Sequence, residues 1–117
     1  MRLTRAAARS YRRAATKRET YMHAAVRRYK VSDADAFIGK IETDFTERLK
    51  AEVDGFVGYY VIDGGDGDVA TVTVGETQEA IDQSADMAAE RVRETASDLV
   101  DGDPDVTSGE VKIRAER

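Results

Sequence analysis

The side chains best suited to chemistry in this sequence are one histidine and a pair of adjacent tyrosines. His23 is the only histidine, and an imidazole that titrates near neutral pH can act as a general acid or base in a pocket. Tyr59 and Tyr60 each carry a phenol, which in an apolar pocket can donate a hydrogen bond to a bound oxygen atom. His23, Tyr60 and Tyr59 are therefore the predicted catalytic residues.

Each of these residues also has a purely structural interpretation. His23 falls at the start of a predicted strand, where a histidine is often solvated or bonded to backbone. Adjacent residues of a strand point to opposite faces, so one of Tyr59 and Tyr60 faces the helices and the other faces away. Either can serve as a bulky residue that fills a core or an interface, and the sequence leaves open which one faces a pocket.

Three further residues are predicted to bind substrate: Tyr29 and Arg27, on the same strand face as His23, and Met87, on the inner face of a later helix. Arg27 could hold an anionic group, although arginines in such positions more often form surface ion pairs worth little energy. His23 and Tyr29 lie six residues apart, about 20 Å along a strand, so they cannot act as a pair.

The glycine-rich stretch "DGGDGD" at 63–68 suggests a metal or phosphate loop at first sight. Counting from Asp63, however, the twelfth position is Val74, where a calcium loop requires glutamate. A phosphate loop requires a lysine and a helix after its glycines, whereas a strand follows here. A hairpin turn with solvated acids is the favoured interpretation. The chain has no cysteine, and no metal site or cofactor is predicted.

The apolar periodicity divides residues 22–117 into strands and helices. Ser32 is the predicted N-cap of a first helix whose apolar residues recur every four positions, and Thr77 caps a second helix. The predicted strands are Met22–Val31, Gly55–Asp63, Val69–Gly75 and Val106–Arg114. Residues 1–21 form a predicted basic helical extension.

The order β-α-β-β-α-β predicts an α+β, ferredoxin-like fold with a four-stranded antiparallel sheet. Right-handed crossovers place both helices on one face of that sheet. The other face would then expose apolar side chains, and a second copy of the chain would cover it. The expected assembly is therefore a homodimer.

The segment "GFVGYYVIDGGDGDVATVTVGETQEAIDQSADMAAERVRE" resembles the antibiotic biosynthesis monooxygenase-like group of dimeric α+β barrel proteins. The resemblance implies that two sheets pair into a barrel and that a small-molecule pocket lies between sheet and helices. It also implies cofactor-independent oxygenation of quinol-like aromatic compounds, or haem degradation. The haem-degrading relatives use Asn, Trp and His, and this sequence has no Asn or Trp, so that activity is not expected.

Two functional hypotheses follow from the resemblance. The first is a cofactor-independent monooxygenase, or a binder, of a small apolar or aromatic compound. The alternative is a non-catalytic structural or ligand-sensing homodimer whose basic N-terminal arm contacts an anionic partner.

Charge is distributed unevenly along the chain. Residues 1–20 carry seven basic side chains and one acidic side chain, a net charge of +6, and since the whole chain carries −5, residues 21–117 carry −11. Nucleic acid is therefore not expected as a partner, except through residues 1–20. That arm could instead dock on the acidic domain of its own chain or of a neighbouring subunit. It could also be upstream sequence that precedes the true start of the protein, since the recognisable domain begins at Met22. The acid-rich, lysine-poor composition resembles that of halophilic archaeal proteins.

No apolar run in the sequence approaches the roughly 20 residues that a membrane span requires. The N-terminus also lacks the apolar core of a signal peptide. The expected location is therefore the cytoplasm.

Overall fold

The computed structural model describes residues 22–117, and the predicted basic helix at residues 1–21 lies outside the described residues. The strands are β1 His23–Lys30, β2 Phe56–Gly65, β3 Asp68–Gly75 and β4 Asp105–Glu110. The helices are α1 Ala34–Glu52 and α2 Gln78–Thr95, followed by a 3₁₀ turn at Ser97–Leu99. The element order is the predicted one.

The four strands form one antiparallel sheet with the spatial order β2-β3-β1-β4. Both crossovers pass through a helix, which is the ferredoxin-like plan predicted from the sequence. β1 lies between β3 and β4, so that Arg27 has Thr71 on one side and Val106 on the other. Residues at the centre of β1 are therefore held on both flanks.

β4 is shorter than predicted. It ends at Glu110, whereas the apolar alternation suggested a strand as far as Arg114. Glu110 pairs with His23, the first residue of β1. Beyond Glu110, the pairing within residues 22–117 is limited to one hydrogen bond, from the Val111 amide to the Met22 carbonyl. The strand ends because its pairing partner ends.

The two helices pack on one face of the sheet, and the four-residue apolar period of α1 marks the contact. The side chains of α1 in this stripe, together with the residue that follows the helix, are all buried: Phe37, Ile41, Phe45, Leu49 and Val53. Beneath them, Tyr29 of β1 and Val69 and Thr71 of β3 face the helices and are also buried. The predicted alternation of β3 is confirmed.

Helix capping follows the sequence with one correction. The N-cap of α1 is Asp33 rather than Ser32, because the Asp33 carboxylate accepts a hydrogen bond from the Ala36 amide at 3.0 Å. Thr77 caps α2 as predicted, with its hydroxyl oxygen accepting from the Ala80 amide at 3.0 Å. Each cap supplies an acceptor to one of the amides that a helix start leaves unpaired.

A register shift between Phe56 and Gly58 changes which residues of β2 share a face. Strict alternation along the strand would place Phe56 on the same face as Tyr60. Instead Phe56 pairs with Gly75 and packs against the core under the helices. An irregularity of this kind adds a residue to one strand and reverses the parity on one side of it.

Among residues 22–117, no helix covers the other face of the sheet. Tyr60 and Ile62 of β2 lie on this open face and are 59% and 52% exposed, although both are large and apolar in most of their surface. Val72 of β3 pairs with Tyr60 on the same face. An apolar sheet face that is open to this extent is typical of a surface that binds a partner.

Candidate functional site

A cleft of about 390 Å³ lies on the helix-covered side of the sheet, next to the edge strand β4. Its floor is β1, one wall is the C-terminal half of α2, and the other wall is the post-helix segment, residues 97–104. Ala89, Val92, Val100 and Pro104 supply apolar surface, and Arg27, Tyr29, Arg93 and Asp103 supply the charged or hydroxyl groups. The volume falls at the lower end of the range for small-molecule sites.

Backbone hydrogen bonds fix the post-helix segment against β1. The Ser32 amide donates to the Leu99 carbonyl at 2.9 Å, and the Asp101 amide donates to the Lys30 carbonyl at 2.8 Å. Val100 forms a bridge to Val31 between these two bonds. The wall that carries Val100 is therefore tied to the strand that carries Tyr29.

Tyr29 is the buried polar residue of the cleft, with only 3% of its surface exposed. Its ring packs on Phe37 of α1, with ring centroids 5.1 Å apart. Its hydroxyl oxygen accepts a hydrogen bond from Arg27 Nε at 3.1 Å. Since a guanidinium can only donate, the phenol proton of Tyr29 is left to be donated elsewhere.

Arg27 is only partly buried and contributes a positive charge to the cleft. Among residues 22–117, no carboxylate lies within ion-pair distance of Arg27 or of Arg93. Asp103 is the acid of the cleft lining. The lining thus carries two positive charges and one negative charge, within a domain that is strongly acidic overall.

Tyr59 faces the helices but lies outside this cleft. Its ring packs edge-on against Phe45, with centroids 5.6 Å apart, and a side-chain hydrogen bond joins it to Thr71. Burial raises the pKa of Tyr59 above its ordinary value, and the nearby Tyr29 phenol adds to the increase. The hydrogen bond with Thr71 acts in the opposite direction but is the smaller effect. Tyr59 therefore remains a protonated, packed phenol across the physiological pH range.

The remaining predicted site residues are spread over the domain. Tyr60 lies on the open face. His23 lies at the far end of β1 from Tyr29, between Gly75 and Glu110, and its buried Nδ1 atom has no hydrogen-bond partner within residues 22–117. Met87 packs, partly buried, against the core. Of the six predicted residues, the cleft brings together Tyr29 and Arg27.

Sequence reasoning did not single out Arg93, Asp103 or the apolar walls of the cleft. Arg93 lies on the last turn of α2, and the acidic residues around it are typical of a solvated helix face. The "DGDPD" stretch that contains Asp103 and Pro104 is typical of a loop that ends a helix, and nothing in it indicates a binding site. The available signal was the only proline, which sits where the chain turns from α2 into β4.

The acidic stretch at 63–68 forms the end of the β2–β3 hairpin. Asp63 accepts a hydrogen bond from the Gly65 amide at 3.0 Å, and Asp68 forms an ion pair with Lys30 at 2.7 Å. Within residues 22–117, no group of three or more His, Cys, Asp or Glu side chains is arranged to hold a metal ion. The acids of this turn serve the local backbone and one cross-strand pair.

Neither α1 nor α2, the helices described within residues 22–117, is both long enough and apolar enough to cross a bilayer.

The fold and the cleft together define a ferredoxin-like α+β domain with a small-molecule-sized opening between its sheet and its second helix. Solved structures share this fold at low sequence identity. A monooxygenase from the gene ActVA-Orf6 of Streptomyces coelicolor, solved with the ligand Nanaomycin D, superposes with a TM-score of 0.63 at 20% identity, covering 85% of this chain and 95% of that chain. A candidate antibiotic biosynthesis monooxygenase from Caulobacter crescentus CB15 gives 0.62 at 17% identity, covering 79% and 91%.

A dimeric ferredoxin-like protein from an uncultured marine organism gives a TM-score of 0.62 at 13% identity, covering 86% of this chain and 96% of that chain. No protein-family model matches the chain, and no curated protein matches it. At these identities the likeness establishes the fold alone. The ferredoxin-like fold predicted from the sequence is therefore confirmed.

Proposed function

We propose that this domain binds a small apolar or aromatic compound in the cleft beneath α2, as a binding protein or as a cofactor-independent monooxygenase. The observation that carries the proposal is a cleft of about 390 Å³ that combines apolar walls with one buried phenol, that of Tyr29. Apolar surface supplies affinity, and a single buried polar group fixes the orientation of the ligand. The shared fold of a monooxygenase solved with a bound ligand supports the same interpretation.

Two substitutions on α2 test whether ligands use this cleft. Ala89 lines the cleft, whereas Ala85, one turn earlier on the same helix and also partly buried, does not. We expect Ala89→Leu to fill part of the opening and to weaken binding of naphthamide, a neutral aromatic probe, measured by ligand-observed NMR. Ala85→Leu should leave binding unchanged. Equal binding by the native chain and both variants would contradict the proposal.

The monooxygenase activity has its own assay. With a naphthohydroquinone as substrate and dioxygen as co-substrate, oxygen uptake by the native protein should exceed the spontaneous rate, and labelled dioxygen should place one labelled atom in the product. Ala89→Leu should remove the excess, and Ala85→Leu should retain it. Binding without any excess oxygen uptake would leave the domain as a binding protein, which is the non-catalytic alternative.

The open face of the sheet supports a homodimer as the assembly in which the domain acts. Ile62 is half exposed on that face, and one of the solved structures with the same fold is a dimeric protein. We expect Ile62→Lys to convert a dimer into a monomer in light scattering after size exclusion at high salt. Ile113→Lys is the matched control, because Ile113 is 89% exposed in the tail beyond β4. A native chain that elutes as a monomer would contradict the assembly.

A further inference from the structure

The charges of the cleft limit what kind of compound it can hold. Its lining contains two arginines and one aspartate, while residues 21–117 as a whole carry −11. A positive balance in this cleft between β1 and α2 is therefore a local reversal of the negative charge of the domain. Such a reversal favours a ligand that carries negative charge, because opposite charges attract most strongly where water is partly excluded.

Arg27 is the residue of the lining at which a negative charge would bind. It lies on the central strand β1, partly buried, and no carboxylate among residues 22–117 pairs with it. A charge that is partly withdrawn from water without an opposite charge beside it is costly, and a bound anion would offset that cost. Arg27 uses Nε for Tyr29, which leaves its two terminal nitrogens as donors.

Tyr29 adds a second donor at the same place. Because its oxygen already accepts from Arg27 Nε, its own proton must be donated to another acceptor, and among the described residues no such acceptor is found. The Tyr29 ring is held by Phe37 and buried, so its hydroxyl is fixed rather than free to turn to solvent. Arg27 and Tyr29 thus supply two donor groups from the floor of the cleft, which is the number that a carboxylate or a phenolate oxygen can accept.

Arg93 stands at the rim of the cleft on the last turn of α2. It is exposed, so its charge acts on the approach of a ligand more than on the bound state. Asp103 on the opposite wall offsets one of the two arginines. The net charge of the lining is thus balanced by a ligand with one negative charge.

This inference rests on the proposed function of the cleft as a small-molecule site. We infer that the ligand is a largely apolar monoanion, an aromatic ring system that carries one oxyanion. The oxyanion accepts hydrogen bonds from Arg27 and Tyr29. Arg27 then acts as the specificity-determining residue, and Tyr29 as the residue that orients the oxyanion. The apolar walls formed by α2 and by Val100 and Pro104 hold the rings.

The test compares naphthoate with naphthamide, which share a ring and shape but differ by one charge, on the full chain by titration calorimetry and ligand-observed NMR. Naphthoate should bind roughly 10- to 100-fold more tightly, as expected for hydrogen bonds to a charged group. Arg27→Gln should remove that preference while leaving naphthamide binding largely unchanged. Arg28→Gln, the next residue on the same strand and facing the open side, should leave the preference intact.

Further variants separate the roles of the two donors and guard against a folding defect. Tyr29→Phe should weaken the binding of both probes by a few-fold, because each probe loses one hydrogen bond. Arg93→Gln, an exposed position, should reduce the preference for naphthoate modestly and most clearly at low salt. A third probe, a naphthol acidic enough to ionise at the assay pH, shows by comparison with naphthoate whether the cleft prefers a phenolate or a carboxylate.

If naphthoate and naphthamide bound with equal affinity, and Ala89→Leu weakened the binding of both, the inference would be overturned and the proposed function would stand. Failure of both probes to bind would overturn the proposed function itself. Loss of the preference in Arg28→Gln as well as in Arg27→Gln would show that general charge, and not the cleft, selects the anion.

Discussion

Substituting Tyr59 by phenylalanine should change how the stability of the domain depends on alkaline pH. Tyr59 is packed between Phe45 and the sheet, and burial raises its pKa above the ordinary phenol value of 10.0. In the unfolded chain the same phenol titrates at its ordinary value. Since the folded pKa is the higher one, the stabilising contribution is complete below about pH 10 and is lost as the pH rises through the folded pKa.

The magnitude follows from two effects of opposite sign. Below about pH 10, Tyr59→Phe loses the hydrogen bond with Thr71, which costs about 1 kcal/mol. Above about pH 10, the unfolded native chain releases a proton that the folded chain retains, so its stability falls by about 1.4 kcal/mol per pH unit relative to the variant. The two chains should therefore become equally stable near pH 11, and the variant should be the more stable one beyond it.

Urea unfolding, followed by far-ultraviolet circular dichroism at several pH values between about 8 and 11, measures the effect. The other titrating groups are common to both chains and cancel in the difference. Tyr60→Phe provides the control, because Tyr60 is 59% exposed on the open face. Its free energy of unfolding should follow that of the native chain in parallel across the whole range.

The opposite pattern would refute the reasoning. If Tyr60→Phe removed the alkaline dependence and Tyr59→Phe did not, the β2 register would be wrong by one residue, because a one-residue slip exchanges the two faces of a strand. If neither variant altered it, Tyr59 would not be buried as a protonated phenol, and its assignment to the core would fail.

Three further predictions concern the frame of the site. Asp33→Ala should lower the free energy of unfolding by about 1 kcal/mol through loss of the α1 cap, whereas Ser32→Ala should have little effect, both measured by urea unfolding. Gly67→Ala should cost about 1–2 kcal/mol more than Gly65→Ala in the same assay, because both have positive φ but only a Cβ at Gly67 would collide with the Val31 carbonyl. The melting temperature of the whole chain should rise with KCl, because residues 21–117 carry −11 and salt screens their repulsion; a flat response would contradict the expectation from composition.

Much of the fold was predictable because each element has a local cause in the sequence. The alternation of β3 and the four-residue stripe of α1 each bury one face, and these patterns match the structure. The misassigned residues also have local causes. Phe56 changes face because of a register shift, and such an irregularity has no reliable signature in a single sequence. Asp33 and Ser32 are both good caps, and only backbone geometry selects between them.

The site was less predictable than the fold. Strand parity correctly placed Tyr29 and Arg27 on one face, and this pair forms the floor of the cleft. Parity also separated Tyr59 from Tyr60 but could not say which faces the helices, because that depends on the pairing register. Asp103 and Pro104 reach the cleft through the post-helix segment, whose path is set by backbone bonds to the end of β1. Such tertiary pairings leave no periodic pattern in the sequence.

The arrangement also narrows which residue could handle a proton if oxygenation takes place in the cleft. His23 lies about 20 Å along β1 from Tyr29, and Tyr59 is joined to Thr71 in the core with its pKa raised by burial. Of the predicted acid–base residues and the cleft lining, the remaining candidate is the neutral phenol of Tyr29, which lies in the lining next to the guanidinium of Arg27. To orient an oxyanion, Tyr29 must keep its proton and donate a hydrogen bond. To abstract a proton from the substrate, it must first have lost that proton, so one phenol cannot do both in the same step. Tyr29→Phe should therefore mainly weaken binding if the domain is a binding protein, and mainly lower turnover if it is an oxygenase.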